Sequence, residues 1–187
     1  MDKIIINESV RSLVEFCLLK GDIDNRFTGS ARAIEGTRAH QKLQEDNSNI
    51  YDIYEKEVKL SFKFELEKIT LKVEGRADGI INDKGRIIIE EIKSTYNKFA
   101  YIDDSNEIHW AQAKFYAYIY ACQNNMDSIY IRLSYVQLES YEVKSFERKY
   151  TLEELKEFTN KITRIYEEYN LLVIDEKEQR NKSINNI

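Results

Sequence analysis

Several things are missing from this sequence, and each absence narrows what the chain does. No apolar run reaches the roughly 18 residues that a membrane span needs. The N-terminus, MDKIIINESVRS, has no basic region ahead of a long apolar stretch and no small-residue cleavage site, so it is not read as a signal peptide. Cysteine is scarce. Cys17 and Cys122 are the only two, they lie far apart in stretches of helical pattern, and neither belongs to a metal-spacing motif. A reduced, cytoplasmic setting is the simplest expectation. Proline is absent altogether, and nothing functional follows from that. An excess of positive charge is missing too: the formal net charge is −5. That counts against nucleic acid as a partner without excluding it, because a local basic patch is enough and a carboxylate cluster adds negative charge.

What is present describes a folded protein. The 187 residues suffice for one domain with a real core and are few for two. A hydrophobic content of 42% and an aromatic content of 12% exclude a disordered chain. From Ile6 to Lys20, the residues Val10, Leu13, Val14, Cys17 and Leu18 form a helical stripe that Gly21 can stop. Asp22 to Gly29 reads as a polar loop. Ser30 opens a second helix that carries Arg32, Arg38, His40 and Lys42. Glu57 to Glu67 alternates cleanly, with Val58, Leu60, Phe62 and Phe64 on one side, as in a half-buried strand. A turn at Glu67-Lys68 leads to a second strand with Lys72, Glu74, Arg76 and Asp78 on its polar face.

The next stretch concentrates the chemistry. Asn82-Asp83-Lys84-Gly85 is a turn cluster, and Arg86 to Lys93 is a third strand rich in β-branched residues that ends in charge. Alternation puts Glu91 and Lys93 on one face and Glu90 on the other. A strand that apolar is normally buried, where charges are costly unless paired or metal-bound. Asp78 and Glu91 on neighbouring strands, with Lys93 beside them, make a hard-oxygen pocket for a divalent cation next to a fixed positive charge. That combination suits phosphodiester hydrolysis.

The remainder continues with a polar loop from Thr95 to Asn106 and an aromatic-rich helix from Glu107 to Asn124. Strands follow at Ile129–Val136 and Tyr141–Tyr150. A Thr151–Glu154 capping box then opens a last helix. The order α-α-β-β-β-α-β-β-α predicts an α/β fold with a mixed central sheet, containing an antiparallel meander and flanked by helices. Residues 1–175 are expected to form a single domain, and residues 176–187 a polar tail or linker.

Four short motifs in this order resemble the PD-(D/E)XK nuclease superfamily and, within it, the RecB-like branch. Gly36-Thr37-Arg38-Ala39-His40 looks like the first motif, Gly75-Arg76-Ala77-Asp78 like the second, and Glu91-Ile92-Lys93 like the E-x-K signature. Gln112-Ala113-Lys114-Phe115-Tyr116 looks like the Q-x-x-x-Y motif on the following helix. The resemblance covers roughly residues 30 to 136 and implies a restriction-endonuclease-like core. It implies Mg²⁺ or Mn²⁺ held by His40, Asp78, Glu91 and the Ile92 carbonyl. It also implies that Lys93 holds the attacking water, and that Gln112 and Tyr116 orient the lysine, the water or the substrate backbone. Some relatives carry a four-cysteine iron–sulfur cluster. Two cysteines cannot supply it, so no cluster is expected. Other relatives are fused to DinG-like helicases, and a polar tail would suit a junction with one.

Arg32, Arg38, Lys98 and Lys114 are candidate phosphate contacts. Tyr96, Phe99, Tyr101 and Trp110 are candidate stacking residues for unpaired bases. His109 is either structural or a substrate contact. The expected function is a metal-dependent DNA nuclease, an exonuclease of DNA repair or recombination acting on ends or single strands. The alternatives are a nucleic-acid-binding module of the same fold without catalysis, and a protein-interaction domain.

Overall fold

The computed structural model describes residues 3–19 and 30–184, with only the backbone course given for 30–32, 175 and 177–184. The polar loop expected at Asp22 to Gly29 lies outside the described residues.

The elements run β1 (Ile4–Ser9), α1 (Val10–Leu18), α2 (Ser30–Ile50), β2 (Ile53–Glu65), β3 (Ile69–Asp83) and β4 (Arg86–Thr95). A short 3₁₀ turn, Phe99–Tyr101, precedes α3 (Glu107–Gln123), β5 (Ser128–Gln137), β6 (Val143–Thr151) and α4 (Leu152–Ile184). The fold is α/β with a mixed six-stranded sheet. Sequence pattern places Ile6 in the first helix. The structure makes Ile4–Ser9 a strand and starts the helix at Val10, where the Ser9 side chain accepts the Ser12 N–H. This extra strand lies parallel to β3, from Ile4 opposite Ile69 to Ser9 opposite Glu74. The capping box forms as expected: Thr151 N donates to Glu154 Oε2 at 2.7 Å, and Glu154 N to Thr151 Oγ1 at 3.2 Å.

Strand β3 organises the sheet. One of its edges pairs with β2 along nearly its whole length. The other edge pairs first with β1, as far as Glu74, and later with β4, from Gly79 to Asp83. Between those two partners, residues Gly75 to Asp78 have no strand beside them on that edge among the described residues. Beyond the gap β4 pairs in parallel with β5, and β5 antiparallel with β6.

Helices α1, α3 and α4 pack together on one face of the sheet over the main core. Helix α2 covers the other face, where Ala39 and Leu43 meet Ile92 and Val136. Strand β4 is therefore buried on both sides, which explains its near-continuous apolar run. The Tyr118, Phe62 and Phe64 rings pack edge-to-face or stacked between α3 and β2, fixing α3 over the gap in β3.

Candidate active site

The site forms where β3 and β4 part. Their antiparallel ladder stops at the Gly79–Glu90 pair. Continued in register, the next hydrogen-bonded pair would be Ala77 with Ile92. Instead the Ile92 N–H donates to Asp78 Oδ2 at 2.7 Å. A side chain has replaced a backbone carbonyl, and the strands open into a fork with Asp78 in its throat. N–H and C=O of one residue point to the same strand edge, so the Ile92 carbonyl also faces this fork.

Helix α3 closes the gap in β3. The Tyr116 ring reaches the Gly75 backbone of β3. It comes so near Gly75 that a Cβ there would lie 2.7 Å from Tyr116 Oη. Glycine in the Gly75-Arg76-Ala77-Asp78 motif is thus a requirement of close approach. Gly79 is constrained in the same way by the Tyr54 ring, whose Cζ would lie 2.7 Å from a Cβ.

On the next strand Glu91 is buried, at 6% exposure. Lys93 Nζ lies 2.7 Å from Glu91 Oε1 and donates to Gln112 Oε1 at 2.8 Å. From α2, His40 Nδ1 approaches Asp78 Oδ1 at 3.9 Å. Burial pushes the Glu91 and Asp78 carboxyls up from their ordinary range, with the Asp78 charge adding to the rise at Glu91 and the Glu57 and Glu90 charges to that at Asp78. Lys93 opposes the shift in both, as does the Ile92 N–H at Asp78. Burial, aided by Lys93, pushes His40 down. The His40–Asp78 approach is therefore that of a neutral ring, not an ion pair, and a neutral imidazole is the form that ligates metal.

The sequence matches the PD-(D/E)XK nuclease superfamily over residues 14–181. The chain belongs to that superfamily. The solved structure of SSO0001 is similar in fold, with a TM-score of 0.56, 21% identity, and coverage of 92% of this chain and 78% of that one. A phage related exonuclease from Haemophilus somnus 129PT aligns with a TM-score of 0.46 and 15% identity, over 89% of this chain and 81% of its own. No curated protein matches the chain.

Nucleases of the PD-(D/E)XK superfamily use divalent metals. The donor chemistry at the fork fits such an ion: two carboxylates, a carbonyl and a neutral imidazole, in surroundings where the carboxylates resist ionising without a counter-charge. The donors are not assembled as a cage. Among the described residues, no three His, Cys, Asp or Glu side chains converge in metal-holding geometry. Glu91 Oε1 instead faces Lys93, and Asp78 Oδ2 faces the Ile92 N–H.

Of the superfamily motif residues, the structure brings Asp78, Glu91, Lys93, Ile92, Gln112, Tyr116 and His40 to this one fork. Arg38 and Lys98 are exposed, on α2 and just before the 3₁₀ turn, and Arg38, two residues from His40, lies about 200° round α2 from it. The Arg32 side chain lies outside the described residues. Lys114 stands elsewhere, over the Tyr150 and Phe158 rings at 5.0 and 4.7 Å. It is two residues from Gln112, hence about 200° round the helix. Trp110 is buried at 3% exposure, donates Nε1–H to the Asp104 carbonyl and carries Arg148 over its ring, so no base can stack on it. Phe99 packs against the main core. The Tyr96 hydroxyl donates to the Glu35 carboxylate.

Sequence reasoning missed the polar row behind the fork. Gln44 Nε2 donates to both Glu57 Oε1 and the Asp78 carbonyl, each at 2.9 Å. Glu57, opposite Asp78 on β2, has a left-handed φ of 56°. On β3 the alternation breaks beside it: Ala77 and Ile80 both enter the main core, and Asp78 is less exposed than Arg76. Glu90, 1% exposed, accepts from Asn47 Nδ2, Tyr54 Oη and Ser134 Oγ at 2.7, 3.0 and 2.6 Å. One signal was legible: His40, Gln44 and Asn47 recur at helical spacing on α2, a polar row beside the apolar pair Ala39 and Leu43.

Proposed function

We propose that this PD-(D/E)XK superfamily member is a Mg²⁺- or Mn²⁺-dependent deoxyribonuclease of the RecB-like kind, and that the β3–β4 fork is its active site. The observation that carries the reading is the placement of Asp78 and Glu91 on parting strands, with Lys93 held between Glu91 and Gln112. His40, Asp78, Glu91 and the Ile92 carbonyl would hold the cation. When bound, it supplies Lewis-acid charge to a phosphate oxygen and lowers the pKa of a coordinated water. Lys93 orients the attacking water and stabilises charge developing on the phosphate. Gln112 fixes the lysine through its Oε1, and Tyr116 braces Gly75 so that Asp78 stays in the fork.

The choice of Glu91 over Glu90 rests on their partners. Three neutral donors satisfy Glu90 on the α2 face, whereas among the described residues Glu91 is paired with Lys93. Arg38 and Lys98, with Arg32, are proposed phosphate contacts.

The finer reading is an exonuclease acting on ends or single strands in repair or recombination, without an iron–sulfur cluster, with a helicase of the DinG-like kind as a fused or associated partner. A cytoplasmic setting suits the unpaired thiols Cys17 and Cys122. Among the described residues no helix is long and apolar enough to cross a membrane.

The test is cleavage of end-labelled linear, circular and single-stranded DNA in Mg²⁺, Mn²⁺ or EDTA. Metal-dependent cutting of linear and single-stranded DNA, with the circle spared, is expected. Cutting of the circle would overturn the exonuclease reading. No cutting of any substrate by the folded protein would leave a nucleic-acid-binding module of this fold.

A further inference from the structure

A pocket of about 330 Å³ opens beside Lys93, within the range of ligand clefts. Its walls include Lys93, Asn97, Tyr101, Asn106, His109 and Tyr135, and neither Asp78 nor Glu91. A second hollow of about 590 Å³ reaches Gly36, Thr37 and His40 on α2. Both hollows share Ser94, Thr95 and Asn97. One trough therefore runs across the end of β4, just past Lys93.

The segment between β4 and α3 that forms the outer wall of this pocket is fastened from several sides. Lys144 Nζ donates to the Phe99 and Ile102 carbonyls at 3.0 and 2.6 Å. Trp110 Nε1 and Arg148 both hold Asp104. The Asn106 side chain caps α3 by accepting the His109 N–H at 3.1 Å. The His109 ring is fixed by Tyr135, whose hydroxyl lies 2.9 Å from Nδ1. On this fastened turn Tyr101 is 80% exposed. A large aromatic ring held out in water from an anchored backbone adds nothing to the core, and it is the arrangement of a stacking platform.

We propose that this pocket receives an unpaired nucleobase, flanking the phosphate that lies at Lys93, with Tyr101 as the stacking face. Asn97, Asn106 and His109 offer donors and acceptors to the base edge. A paired base has its edge occupied and its faces covered, so the pocket selects single strands or frayed ends over blunt duplex. This deepens the nuclease reading and rests on it for the position of the phosphate.

The experiment is fluorescence titration of single-stranded oligothymidylate carrying one 2-aminopurine, moved position by position, in EDTA so that nothing is cut. Wild type, Tyr101→Ala and Tyr101→Phe are compared, with a blunt duplex of the same sequence alongside. One position is expected to be strongly quenched by wild type and Tyr101→Phe. Tyr101→Ala is expected to lose that quenching and bind roughly tenfold more weakly. Equal quenching at all positions, equal binding by Tyr101→Ala, or the same quenching with the duplex would each overturn the pocket. Cleavage assays on the same proteins separate the two readings. Position-specific quenching without metal-dependent cleavage sinks the nuclease and keeps the base pocket, whereas cleavage without it does the reverse.

Discussion

The Asp78 carboxylate accepts the Ile92 N–H at 2.7 Å, where the register of β3 and β4 would have put the Ala77 carbonyl. One side chain thus ends the ladder, satisfies the amide it leaves behind and stands in the opening it makes. Asp78→Asn keeps an acceptor oxygen for Ile92 and removes the charge, so the fold is expected to survive and DNA cleavage to be lost. Asp78→Ala also strands a buried N–H, which costs about 1–3 kcal/mol more. Thermal denaturation of both variants, beside cleavage assays, checks the split.

The two buried carboxyls act on the pH dependence of the metal-free protein with a definite sign. Burial raises Asp78 and Glu91 above their ordinary values of 3.8 and 4.5. As pH climbs from there toward the raised values, the unfolded chain releases protons that the folded protein retains. Their contribution to stability therefore falls across that window, and the loss is complete above it. In EDTA the two carboxyls pull the melting temperature down from acid to neutral pH, against His40 and His109, whose lowered values push it up as pH climbs toward the ordinary histidine range. Glu91→Gln should flatten the drop, and added Mg²⁺ should offset it in wild type by binding the ionised form. A wild-type melting temperature that falls no more, from acid to neutral pH, than that of Glu91→Gln would contradict this.

Adjacent glutamates are expected to behave in opposite ways. Glu90→Ala leaves Asn47, Tyr54 and Ser134 without their shared acceptor and should cost about 3 kcal/mol or more. Glu91→Gln removes a buried charge and should be neutral or stabilising at pH 7 while abolishing cleavage. Chemical denaturation of both variants, with nuclease assays, checks the contrast.

Gly75 and Tyr116 should be energetically coupled. Gly75→Ala puts a Cβ 2.7 Å from Tyr116 Oη and is expected to destabilise by about 1–3 kcal/mol. Tyr116→Phe removes that oxygen, so the double variant should be more stable than the sum of the single changes allows. A double-mutant cycle on thermal or urea unfolding measures the coupling directly.

Much of this architecture could be read locally. The alternation of β2 and the apolar run of β4 are properties of short windows, and Glu91 with Lys93 follows from strand period alone. Strand β1 escaped because Ile4 to Ile6 is too short to show a period and adjoins a helical stripe. Its partner, Ile69, is distant in sequence. The polar support behind Asp78, where Gln44 joins its carbonyl to Glu57 of another strand, depends on long-range packing that no local pattern announces. Lys114 and Trp110 sit on the motif helix but face away or inward. Charge and aromaticity say what a side chain offers, and only packing says where.

The most direct test of the central claim compares wild type with Lys93→Ala on single-stranded DNA at saturating Mg²⁺, with both proteins shown to be folded and to bind the strand in EDTA. The account predicts metal-dependent cleavage by wild type and a loss on the order of a hundredfold or more in the variant, with binding largely kept. Equal cleavage by the two proteins would remove Lys93, and the β3–β4 fork with it, from the chemistry.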